Sequence, residues 1–180
     1  MHGNINEDAM YDIVIISEDT TSCAVHQSIL DDLCRSHGLC GNCLVTCDER
    51  DFVEITSEGA YLIICDADKL QRMNIAAREN PLSLGNTPVI VMTEGVSLSS
   101  LYVHDYSGLN IMGLIGVPYK THHRGLASLV DALSHSKKTG SRGLGTDDVY
   151  NAIDRSNGES ISTPKRAFMT GWQRKGASLG

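Results

Sequence analysis

Five short apolar runs recur along the first two thirds of the chain: "DIVII" (12–16), "CLVTC" (43–47), "YLIIC" (61–65), "PVIVM" (88–92) and "MGLIGV" (112–117). Most are continuous rather than alternating, the pattern of strands covered on both faces by helices. Helical spacing fills the intervals. Val25, Ile29 and Leu33 repeat every four residues behind Thr20–Ser22, which suit an N-cap. Ser97 is placed to cap a short helix carrying Leu98 and Leu101. Leu126, Leu129, Val130 and Leu133 form the clearest stripe. Gly59, Gly85–Asn86 and Gly108–Asn110 punctuate the joins. Strands alternating with helices predict an α/β domain with a parallel sheet and right-handed crossovers.

Helical periodicity stops at about His135, where "SKKTGSRGLGTDD" and "SNGESISTPKR" turn Gly/Ser-rich and charged. The expected organisation is a flexible N-terminus over 1–9, a domain over 10–136 and a largely disordered tail over 137–180. One helical turn is expected at Val149–Ile153, and "FMTGWQRK", with Phe168 and Trp172, suits a docking peptide. Charge follows the same division. Residues 1–136 hold 7 Lys and Arg against 18 Asp and Glu, whereas 137–180 hold 8 against 4, within a net charge of -7. An acidic body repels nucleic acid. A mildly basic tail suits contact with an acidic surface, this protein's own included. No apolar run approaches the roughly 20 residues of a membrane span. The polar, acidic start "MHGNINEDAM" lacks a secretory signal pattern. A cytoplasmic protein, present also in the nucleus, is the expectation.

In open parallel sheets the working site lies at the carboxyl ends of the strands. Ser17-Glu18-Asp19 follow the first run, Asp66 the third, Thr93-Glu94 the fourth and Pro118-Tyr119-Lys120 the fifth. Carboxylates converging on one edge raise one another's pKa, and a hard cation such as Mg²⁺ relieves the conflict. No Gly-rich phosphate loop follows the first strand, which argues against a nucleotide or flavin there. Walker, G-x-S-x-G and H-E-x-x-H patterns are also absent.

This order resembles the response-regulator receiver domain of two-component and phosphorelay signalling: an acidic pair after the first strand, an Asp after the third, Thr or Ser after the fourth. The resemblance covers roughly 10–136, and "GLNIMGLIGVPYKTHHRGL" is similar to the fifth-strand region of fungal stand-alone regulators. It implies a flavodoxin-like five-stranded parallel sheet, strand order 2-1-3-4-5, helices on both faces. Asp66 would be the phospho-acceptor. Glu18 and Asp19, with Asp66 and the Asp68 carbonyl, would hold Mg²⁺, and Thr93 would bind the phosphoryl group. A histidine kinase or histidine-phosphotransfer protein would be the donor, and output would pass to a downstream protein partner, with weak homodimerisation. The protein would be no enzyme beyond its own phosphoryl transfer and dephosphorylation.

The pattern also departs from that family. Val117 stands where it places Lys, leaving Lys120 as the nearby replacement; Leu114 replaces the switch aromatic, and "ADKL" follows Asp66. An alternative register puts Ser17 and Glu18 at the acidic pair. The alternative function is a pseudo-receiver, a phosphorylation-independent interaction module. Cys34, His37, Cys40, Cys43 and Cys47 crowd into fourteen residues, and Cys40-x2-Cys43 resembles half a zinc knuckle. Cys34 on a helix and Cys43 on a strand are nevertheless expected to diverge, as core and turn residues. Cys65 is expected to pack against a helix, and His122 and His123 to open a surface helix.

Overall fold

A computed structural model describes residues 11–39, 41–94, 98–101, 105–116, 124–139, 144–156 and 158–160. In chain order the elements are β1 (Tyr11–Ile16), α1 (Thr20–Ser36), β2 (Cys43–Thr46), α2 (Asp51–Glu58) and β3 (Ala60–Asp66). A 3-10 turn (Ala67–Lys69) then leads to α3 (Leu70–Glu79), α4 (Pro81–Leu84), β4 (Pro88–Thr93), α5 (Leu98–Leu101) and β5 (Asn110–Gly116). The last elements are α6 (Arg124–Lys138), α7 (Thr146–Arg155) and β6 (Glu159–Ser160). The first five strands are parallel in the order β2-β1-β3-β4-β5, a flavodoxin-like α/β sheet; β6 adds an antiparallel edge beside β5.

The continuous apolar runs follow from two covered faces. Successive strand side chains point to opposite sides. Ile13, Ile15, Leu62, Ile64, Ile90 and Met92 pack with Leu30 of α1 and Leu126, Leu129, Val130 and Leu133 of α6. Val14, Ile16, Ile63, Cys65, Val89 and Val91 pack on the other side with Phe52 and Ile55 of α2 and Leu70 and Met73 of α3. Cys65 is thus a core residue against α3, as expected.

The domain does not end at 136. Helix α7, within the stretch whose composition reads as disordered, buries Val149, Ala152 and Ile153 in the α1/α6 core. Their i, i+3, i+4 spacing makes one apolar face on a helix that is polar elsewhere, so average composition conceals it. Ser156 and Gly158 amides return to the helix's last carbonyls, and the chain then pairs Glu159 with Leu114. Gly158 permits that approach: a Cβ there would strike the Leu114 carbonyl oxygen and the Ile153 side chain. Phe168 and Trp172 lie outside the described residues, as do 1–9.

Among the described residues, the acidic body and the basic segment meet in an ion pair. Lys137 Nζ lies 2.7 Å from Asp12 Oδ1 on β1, whose side chain is only 11% exposed. Gly41 crowds the same carboxylate, where a Cβ would overlap it. Removing the lysine strands a largely buried charge. Lys137→Met is therefore expected to cost about 1–3 kcal/mol, below the fully buried case because the lysine is partly solvated. Urea unfolding measures it.

Candidate functional site at the carboxyl edge of the sheet

Strand register brings the edge residues together. Ile16 pairs with Cys65, so Ser17 and Asp66 stand side by side one residue beyond. Asp66 pairs with Met92, and Thr93 follows Met92 at the end of β4, opposite Gly116. Of the two registers for the acidic pair, this one aligns Ser17 and Glu18 with the Asp66 edge. Ser17 is fully buried, its hydroxyl 2.7 Å from His26 Nδ1 on α1. Glu18 is exposed. Asp19 is the α1 N-cap: its Oδ1 accepts the Ser22 amide at 2.8 Å, which holds its carboxyl below the usual range.

Asp66 is half-buried at the tip of β3. One carboxylate oxygen accepts the Asp68 amide at 2.9 Å, turning the chain into the 3-10 segment. Its pKa is raised, first by burial and then by the Asp68 and Glu18 carboxylates; the Asp68 amide and the Lys69 ammonium oppose this. Repulsion from Asp68 and Glu18 thus adds to the effect of burial at Asp66, burial being the larger. A carboxyl whose folded pKa exceeds its unfolded one favours folding below the unfolded value. That contribution disappears as pH rises through the folded pKa. Asp66→Asn, which keeps the acceptor for Asp68, is expected to raise Tm at neutral pH, with the gain vanishing below the carboxylate range. Thermal melts across pH measure this.

Lys69 is a site neighbour that strand-end position alone does not mark. It stands three residues after Asp66, acts favourably on both Asp66 and Asp48, and is half-buried. Its signal was the "DADK" spacing itself, which folds into one tight turn. Lys120, Val117, His122 and His123 lie outside the described residues. Comparison with protein-family models, curated proteins and solved structures finds no match. Among the described residues, no helix is long and apolar enough to cross a membrane.

Among the described residues, no three His, Cys, Asp or Glu side chains are grouped to hold a metal ion. Mg²⁺ needs fewer protein donors than that, because one or two carboxylates suffice when waters and a phosphate complete the shell. Glu18 and Asp66 are two carboxylates at this edge, and Asp19, which caps α1 through Oδ1, keeps its other oxygen for a ligand. For zinc, His37 turns to Asp131 on α6, its Nδ1 3.5 Å from the carboxylate, and Cys40 lies outside the described residues. Cys34 and Cys43 do not diverge: their sulfurs are 3.9 Å apart.

Proposed function

We propose that this chain is a receiver-type signalling module that takes a phosphoryl group onto Asp66 and acts through a protein partner. The observation that carries this reading is the half-buried Asp66 at the tip of β3, electrostatically opposed by Glu18 from the end of β1. A carboxylate attacks phosphorus in line only where its charge and the phosphate's are offset. An Asp66 oxygen forms the new O–P bond as the P–N bond to a donor imidazole breaks, and that nitrogen takes up a proton. The donor class is a histidine kinase or histidine-phosphotransfer protein. Glu18, Asp66 and the Asp68 carbonyl are the groups to hold Mg²⁺, which supplies positive charge when bound. Lys69 adds a further cation beside the acceptor, and Thr93 is the hydroxyl on the neighbouring strand end. Such a module works in the cytoplasm or nucleus.

A second reading, the phosphorylation-independent docking module, draws on two observations: Asp19 is engaged as a helix cap, and Ser17 is buried against His26. One experiment separates the two. Beryllofluoride with Mg²⁺, a mimic of the acyl phosphate, is expected to shift NMR resonances at Glu18, Asp66–Lys69 and Thr93 in the wild type and none in Asp66→Asn. A silent wild type, with acetyl phosphate also leaving its mass unchanged, overturns the acceptor reading in favour of the docking module.

A further inference from the structure

At the opposite end of the sheet from Asp66, Cys34 in the last turn of α1 faces Cys43, the first residue of β2. Their sulfurs are 3.9 Å apart, and both side chains are partly exposed. They share the lining of a surface cavity of about 370 Å³ with Gln27, Asp31, Arg35 and Gly41. Two features combine here: thiols already in contact, and an opening through which a small reagent reaches them. The chain between the cysteines is short and turns back through Gly38, whose φ of 66° few other residues adopt. Leu39 N–H bonds to the Cys34 carbonyl at 2.8 Å, fixing the helix end beside the strand.

We infer that Cys34 and Cys43 form a thiol–disulfide exchange site for low-molecular-weight disulfides of the glutathione class, closing reversibly into a bridge between α1 and the edge strand β2. The thiolate of one cysteine attacks one sulfur of the oxidised reagent. The reagent's S–S bond breaks, one thiol departs with a proton, and a mixed disulfide remains on that cysteine. The other cysteine then attacks the first one's sulfur and expels the second thiol. Two protein thiols are oxidised and one external disulfide is reduced to two thiols. The sulfurs must approach to the ~2.05 Å of a bond, a movement of under ~2 Å that side-chain rotation can share with the helix end.

Both thiols resist ionisation where they stand. Burial pushes the Cys43 thiol up to about 12 and raises the Cys34 thiol too, while the contact between the two sulfurs ties their titrations together. Asp31 on α1 and Asp12 on β1 also raise Cys34, and Lys137 on α6 opposes them. The same bridge results whichever sulfur attacks first, since each lies within 3.9 Å of the other. Because only the thiolate reacts, the rate should rise ~10-fold per pH unit above neutral.

The test uses the full chain with oxidised glutathione, followed by intact mass and peptide fragmentation. The expected result is loss of two of the six thiols, a bridge mapped to Cys34–Cys43, and full reversal by dithiothreitol. Cys43→Ser should stop at one glutathionyl group on Cys34, whereas Cys23→Ser, Cys40→Ser and Cys47→Ser should each leave the bridge intact. Thiols that all stay free, or a bridge mapped to any other pair, overturn the assignment. The mapping in wild type decides even where a variant fails to fold, and Asp66→Asn should form the bridge unchanged, keeping this site independent of the phospho-acceptor reading.

Discussion

Ile153→Ala is expected to destabilise the domain by about 2–5 kcal/mol, measured by urea unfolding, although Ile153 lies beyond the point where sequence periodicity ends. The side chain is fully buried against the α1/α6 face of the sheet. Its removal leaves a cavity that β5 and α6 cannot readily fill, because Gly158 already sits tightly between Ile153 and the Leu114 backbone. A chain ending at 143 should lose more, since Val149 and Ala152 leave with it and Leu129 and Val130 face water. Near-wild-type stability of that truncation would return the domain boundary to about 136 and make α7 an appendage. Exposed neighbours on the same helix, such as Asn151, supply the control; Asn151→Ala should change stability by less than ~0.5 kcal/mol.

The difference between α7 and the earlier elements shows what the sequence can carry. Five strands were legible because each is covered on both faces, so every position in runs such as Ile13–Ile16 and Leu62–Cys65 had to be apolar. A helix on the surface needs only three apolar positions in ten, so flanking Gly and Ser left one turn legible at Val149–Ile153 but neither the full length of α7 nor its packing on the core. The two-residue β6 has no pattern of its own to read. At the site, Asp66 and Thr93 were legible from position alone, since strand ends are where charge can follow a buried run. The roles of Ser17 and Asp19 required register: only the pairing of Ile16 with Cys65 sets Ser17 beside Asp66 and leaves Asp19 to cap α1. Contacts between elements were the least legible. Helix α1 runs back along the sheet, so its late residue Cys34 returns to the start of β2, and sequence spacing carries no trace of that meeting.

Glu18→Gln should weaken Mg²⁺-dependent beryllofluoride binding roughly 100-fold, about 3 kcal/mol, the scale of one close charge pair near a protein surface. The substitution sets two effects of opposite sign against each other. Glu18 raises the pKa of Asp66, so removing its charge lets Asp66 ionise at lower pH and makes the nucleophile more available. If nucleophile ionisation governed uptake, the variant would equal or exceed the wild type. If charge neutralisation governs it, the lost metal carboxylate outweighs that gain and binding falls. The proposed function requires the second result, together with a downward shift of the Asp66 titration observed by carboxyl NMR. Lys69→Met should move the same titration upward, because the ammonium that favours the ionised form is gone. A Glu18→Gln chain whose Asp66 titration moves while beryllofluoride binding does not would place Glu18 near the acceptor but outside any metal shell. Phosphorylation would then have to depend on Asp66 and Lys69 alone.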